Sequence, residues 1–201
     1  MMKMMSSLNP WDLAAICCGY WHLGQTPSNH FSRVEINTNQ INVIKKLEYY
    51  HHTNYKSFFS KFFSKQQSKK GFYLYGGVGV GKTMILNFFY DHLDGKKLKK
   101  HFNEFMLGFH DFVHERKEKK EENIINQFVK NLKSKASLIY FDEFQVTNIV
   151  DAMILGKLFE QIFKEDIKII LTSNTKISEL YKEGLQREQF IPFIKIMEDQ
   201  S

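Results

Sequence analysis

Cysteine is nearly absent: the 201 residues contain two, and they are neighbours, Cys17 and Cys18. Adjacent cysteines can hardly meet the geometry of a structural disulfide, and no third one offers a partner. A disulfide-stapled secreted scaffold is excluded, and a reducing compartment is expected. Long apolar runs are missing too. No stretch approaches the ~20 residues that cross a bilayer as a helix. The apolar segment Trp11–Leu23 is interrupted by Asp12 and His22. It follows a single lysine and ends in no small-residue cleavage pattern, so it does not read as a secretory signal. Arginine is scarce, with none before Arg33, which argues against an Arg-rich mitochondrial presequence. A cytoplasmic location is expected, with a mitochondrial one as the alternative, and no transmembrane segment.

What is present suits one α/β domain with a sizeable core: 43% hydrophobic and 25% charged residues in a chain barely long enough for two domains. Nineteen Phe and nine Tyr fall mostly in apolar clusters such as Phe88–Tyr90, and core packing explains them better than base stacking. The net charge of +6 leaves nucleic acid or an anionic surface open as a partner. Solvated Lys-rich faces explain it more simply, because the excess is split between the short segments Lys61–Lys70 and Lys96–Lys100. No internal repeat is present.

Residues 1–33 differ from the rest and are expected to form a separate extension. Residues 34–70 read as a helical segment and linker: Ile41, Ile44, Leu47 and Tyr50 or His51 recur at helical spacing within Gln40–Tyr55, and Ser57–Lys70 turns polar. From Gly71 to Ser201 strands alternate with helices, which predicts a mostly parallel sheet covered on both faces, a three-layer sandwich. Strands are expected at Phe72–Tyr75, Lys100–Phe105, Leu138–Asp142 and Ile167–Thr172. Helices are expected at Thr83–Leu93, within Phe109–Leu132 and at Ile149–Phe163.

The run GGVGVGKT at positions 76–83 fits the Gly-x-x-x-x-Gly-Lys-Ser/Thr pattern in full. Its glycines let the backbone wrap phosphate with N–H groups turned inward, in conformations a Cβ forbids. The helix that begins near Lys82 adds its positive end. Gly76, Gly77, Val78, Gly79, Val80 and Gly81 are the expected cradle. Lys82 is expected on the β- and γ-phosphates of ATP and the Thr83 hydroxyl on Mg²⁺. A short apolar strand before the loop and an amphipathic helix after it supply the context that a chance match lacks.

About 60 residues later, LIYFDE at 138–143 describes a buried strand ending in two acids. Ligands of open parallel sheets sit beyond the carboxyl ends of the strands. Asp142 is therefore placed to hold Mg²⁺ and Glu143 to activate water as general base. Taken alone, the pair also fits a helix cap or a solvated turn. A third strand, IILTSN at 169–174, ends at Asn174, whose amide can sense phosphate and position water, or else cap a following helix. His110 and His114 stand at i, i+4, but without nearby cysteine or an acidic partner pattern they do not make a metal site. Arg116–Glu122 reads as a solvated helical face.

The segments YLYGGVG (73–79), HFNEFM (101–106), FDEFQVTNIVDAMIL (141–155) and LYKEGLQREQFIPFI (180–194) resemble the AFG1-like ATPases of the AAA+ superfamily, from about Val34 onward. The resemblance implies a P-loop NTPase fold of AAA+ type, with Asn174 as the sensor-1 residue. It also implies Arg187 as an arginine finger that acts on the ATP of a neighbouring subunit in a homo-oligomeric ring; otherwise Arg187 is an anchoring or surface residue. Family roles in cell division or protein quality control imply a protein partner rather than a specific nucleic acid. Three positions depart from the pattern: Val80 for Arg, Asn103 for His and Asn148 for Asp. The family also continues through a further strand and a C-terminal helical lid beyond Ile194. Phe72–Tyr75 is accordingly expected at a sheet edge, and an uncovered apolar edge invites association with other chains. ATP hydrolysis is the first functional reading. A truncated nucleotide-binding module without turnover is the alternative, and a nucleic-acid loader ATPase a weaker third.

Overall fold

The computed structural model describes residues 38–55, 69–118 and 123–201. The extension expected at 1–33 lies outside the described residues, as do 57–68 of the expected linker. The described elements run α1 (Thr38–Tyr55), β1 (Gly71–Tyr75), α2 (Lys82–His92), β2 (Lys97–His101), α3 (Phe102–Glu118), α4 (Ile124–Lys135), β3 (Leu138–Asp142), α5 (Ile149–Lys164), β4 (Lys168–Ser173) and α6 (Ile191–Gln200). Two short 3₁₀ turns, Ile177–Glu179 and Arg187–Gln189, join β4 to α6.

The four strands form one parallel sheet in the order β1-β4-β3-β2. Its central strands are buried at every position, as expected of a parallel sheet covered on both faces. Alternation sends Leu138, Tyr140 and Ile170 toward α1 and α2, where Leu47, Tyr50, Ile85, Leu86 and Phe89 complete a core. Ile139, Phe141, Ile169 and Leu171 face the larger core formed with α3 to α6. That larger core is dense in aromatic rings: Phe193 lies 4.9 Å from Phe159 and from Phe190, and stacks on Phe144. Among the described residues the aromatic rings are thus largely core packing.

Three expectations are corrected. The second strand is Lys97–His101 rather than Lys100–Phe105, and from Phe102 onward the chain is helical. Phe102, Phe105, Met106 and Phe109 are all buried and follow i, i+3, i+4, i+7, the stripe of a core-facing helix. The helical stretch expected within Phe109–Leu132 is two helices, α3 and α4. Arg116, expected on a solvated face, lies over the Phe112 ring at 3.6 Å and donates from Nε to Gln127 of α4.

The basic run on β2 is engaged within the chain. Lys97 caps the end of α2 through the carbonyls of Tyr90, Asp91 and Leu93. Lys96 reaches Ser134, Lys99 reaches Asn87, and Lys100 pairs with Glu104. Asn148, which stands where the resemblance implies Asp, caps α5 by accepting from the Asp151 N–H at 2.8 Å; Asn and Asp are both strong N-caps, so either keeps the helix start. Within the described residues β1 pairs on one side only, with β4, which places it at the edge as expected.

Candidate functional site

The register brings the carboxyl ends of β1, β4, β3 and β2 to one side of the sheet. Tyr75 pairs with Ser173, Phe141 with Leu171, and His101 with Asp142. The loop after β1 therefore opens beside the ends of β4 and β3, and a single bond, from the Gly76 N–H to the Ser173 carbonyl, fixes its start. Gly79 and Gly81 have φ of 80° and 85°, a region that side-chain-bearing residues enter at a cost. Gly81 is also the residue before α2, whose first turn closes through the Ile85 N–H to the Gly81 carbonyl. The loop therefore ends at a helix N-terminus, whose free N–H groups and dipole favour an anion.

Lys82 donates to the carbonyls of Gly76 and Gly77, both at 2.7 Å, and to Asn174 Oδ1 at 3.0 Å. Thr83 donates to Asp142 Oδ1 at 3.3 Å. Four of the expected site residues are thus joined in two contacts. Asn174 is not a helix cap: the 3₁₀ turn after it is preceded by Lys176. Glu143 sits at the mouth with its side chain 80% exposed, at a φ of 55°. Arg187 lies apart. Its Nη2 donates to the Ser178 carbonyl of its own chain at 2.8 Å, and its buried Nε has no hydrogen-bond partner.

Four further residues contribute that the motif pattern did not single out. His101, the last residue of β2, places Nδ1 3.9 Å from Glu143 Oε2. Gln40 on α1 donates to the Val80 carbonyl at 3.2 Å, which ties the N-terminal helix to the loop. Thr172 donates to Asp142 Oδ1 at 2.5 Å. The Tyr140 hydroxyl is buried with no hydrogen-bond partner, and burial, with the Asp142 charge second, pushes its pKa well above the usual tyrosine value. Each of these relations depends on strand register or on helix docking, which no local pattern carries. His110, one of the two histidines weighed as metal ligands, binds Asp151 at 2.6 Å and ties α3 to α5.

The donor set fits Mg²⁺. Thr83 and Asp142 offer one hydroxyl and one carboxylate, hard oxygen ligands of the kind this ion takes alongside substrate phosphate and water. Among the described residues, no three His, Cys, Asp or Glu side chains gather as a larger metal cage. The glycine cradle and Lys82 fit a nucleotide triphosphate in the same way.

A parallel sheet of this order, with a glycine loop leading into a helix and an acid-ended strand two positions away, defines a P-loop NTPase of AAA+ type. Residues 29–201 match the AFG1-like ATPase family. The chain belongs to that family. It is 40% identical over 146 residues to lactation elevated protein 1 homolog B of Danio rerio, covering 68% of this chain and 29% of that protein. It is 39% identical over 134 residues to the cell division protein ZapE of Escherichia coli strain K12, covering 65% of this chain and 35% of that protein. The matched region is thus about a third of those relatives. The solved structure of DnaI superposes with a TM-score of 0.51 at 21% identity, covering 84% of this chain and 85% of that one, a likeness of fold. Among the described residues no helix is long and apolar enough to cross a membrane.

Proposed function

We propose that this chain binds ATP with Mg²⁺ and hydrolyses it. The observation that carries the reading is the meeting of Lys82 with Asn174, and of Thr83 with Asp142, at the ends of β4 and β3 beside a glycine-lined helix N-terminus. The loop N–H groups and Lys82 bind the phosphates, and Thr83 and Asp142 hold the ion. Mg²⁺ held there would supply neutralisation of the charge on the triphosphate. Glu143 takes the proton of the attacking water, whose oxygen forms the new bond to the γ-phosphorus as the bond to ADP breaks. Asn174 orients that water and the γ-phosphate.

The deciding experiment is phosphate release by the wild type and by Glu143→Gln. Loss of a general base is worth about 10²–10⁴-fold in rate, and binding of ATP is expected to survive the substitution. A robust rate in Glu143→Gln removes the base assignment.

The finer reading follows the family. Arg187 acts in trans on the ATP of a neighbouring copy in a ring, and turnover remodels a protein partner in division or quality-control machinery, in the cytoplasm or in mitochondria. The engaged lysines of β2 favour this over a nucleic-acid loader. A second reading, nucleotide binding without turnover, draws on the attachment of Arg187 to its own Ser178 carbonyl. Turnover by the purified protein that Lys82→Ala abolishes excludes it.

A further inference from the structure

Thr172 is 1% exposed, on the same face of β4 as Ile170 and one position past the Phe141–Leu171 pair of the register. Its hydroxyl has one proton and two lone pairs, and both capacities are used on Asp142, the last residue of β3, and on Glu143 directly after it. The proton goes to Asp142 Oδ1 at 2.5 Å, and the oxygen accepts the Glu143 N–H at 3.0 Å. The main chain of Thr172 adds a third tie, its carbonyl accepting the Phe144 N–H at 2.7 Å, and Ser173 Oγ donates to the Phe144 carbonyl at 2.9 Å. These ties converge on Glu143, whose φ of 55° is a left-handed conformation that a side-chain-bearing residue keeps only when its surroundings hold it there.

We propose that Thr172 is the positioning residue of the acid pair: one hydroxyl orients the Asp142 carboxylate toward Thr83 and locks the backbone turn that presents Glu143. It touches neither phosphate nor water in this role, and it acts through the two acids. The inference rests on the ATP·Mg²⁺ reading above. It accounts for a fully buried hydroxyl directly after the Ile169–Leu171 run of β4, and for the left-handed turn at an acidic residue. A valine at this position keeps the volume and removes both bonds.

The test compares wild type, Thr172→Val, Thr172→Ala and Thr172→Ser by titrating Mg²⁺ against binding of a fluorescent non-hydrolysable ATP analogue, with single-turnover phosphate release in parallel. The two hydroxyl-free variants are expected to need roughly 10- to 100-fold more Mg²⁺, the range for losing a hydrogen bond to a charged group. Their metal-free affinity for the analogue should match the wild type, and Thr172→Ser should restore the Mg²⁺ dependence. Should Thr172→Val fail to fold, Thr172→Ala against Thr172→Ser decides. A wild-type Mg²⁺ midpoint in a folded hydroxyl-free variant overturns the inference, as does a Thr172→Ser protein as impaired as Thr172→Val. A wild-type protein whose analogue binding ignores Mg²⁺ overturns the parent reading instead.

Discussion

The Lys82 ammonium donates to the Asn174 amide oxygen at 3.0 Å, joining the loop after β1 to the residue that follows β4. The same ammonium holds the carbonyls of Gly76 and Gly77, so Asn174 helps to set where the charge rests. A hydrogen bond to a charged group is worth about 1.5–3 kcal/mol, and in the proposed reaction Asn174 also faces the water. Asn174→Ala is therefore expected to lower kcat by roughly 10- to 100-fold while changing nucleotide affinity only a few-fold. Steady-state phosphate release with a separate binding isotherm checks this. An affinity loss as large as the rate loss would assign Asn174 to ground-state binding.

Tyr140 carries the opposite expectation. Its ring packs in the smaller core near Tyr90 and under the Lys99 ammonium, and its hydroxyl is buried without a hydrogen-bond partner. An unmet buried hydroxyl costs about 1–3 kcal/mol. Tyr140→Phe removes that cost and keeps the ring, so the metal-free protein is expected to gain roughly 1 kcal/mol, read as a higher urea midpoint at unchanged slope. A destabilised Tyr140→Phe would mean that the hydroxyl is hydrogen-bonded in solution.

Where local chemistry decides structure, the sequence was readable. The glycine loop declares itself because only such a composition reaches φ of 80° and 85° at Gly79 and Gly81 before a helix. Leu138–Asp142 follows from an apolar run that burial on two faces demands, and Ile149–Lys164 from the helical stripe of Ala152, Leu155, Phe159 and Ile162 that faces the core. Reading failed at Lys97–His101 because four of its five residues are basic or His, and its lysines reach back to neighbouring helices rather than showing an apolar alternation. The supporting residues of the site were illegible for another reason. Thr172 meets Asp142, and His101 meets Glu143, through strand register; Gln40 meets Val80 because α1 docks on α2. The position of Arg187 against Ser178 likewise depends on how the segment after β4 folds.

That segment turns on Gly184. A Cβ built there would lie 2.2 Å from the Tyr181 ring, far inside van der Waals contact. Tyr181 itself has a φ of 52°, packs edge-on to Phe190 and donates to the Leu185 carbonyl, so its ring cannot move without loss. Gly184→Ala is expected to cost about 1–3 kcal/mol, the usual range for overpacking, seen as a lower thermal midpoint. Because Leu180, Phe190 and Phe193 share the larger core with this turn, the loss should appear in the global transition. A midpoint unchanged by Gly184→Ala would show that the turn relaxes independently of the core.

Alkaline pH should unfold the protein partly through Tyr73. Its hydroxyl donates to the Thr175 carbonyl at 2.7 Å, and burial pushes its pKa from 10.0 up to about 12. In the unfolded chain a tyrosine ionises near pH 10. Between these values the unfolded state has lost a proton that the folded state keeps, so stability falls as pH rises. The contribution is complete below about pH 10 and lost on approaching about pH 12, with a ceiling of about 2–3 kcal/mol at 1.36 kcal/mol per unit. Tyr73→Phe removes this ionisation at the cost of one hydrogen bond, about 0.5–1.5 kcal/mol at neutral pH. Urea midpoints measured at pH 8, 10 and 11.5 should therefore fall less steeply for Tyr73→Phe than for the wild type. Parallel slopes for the two proteins would place the alkaline loss on other groups and return Tyr73 to an ordinary tyrosine.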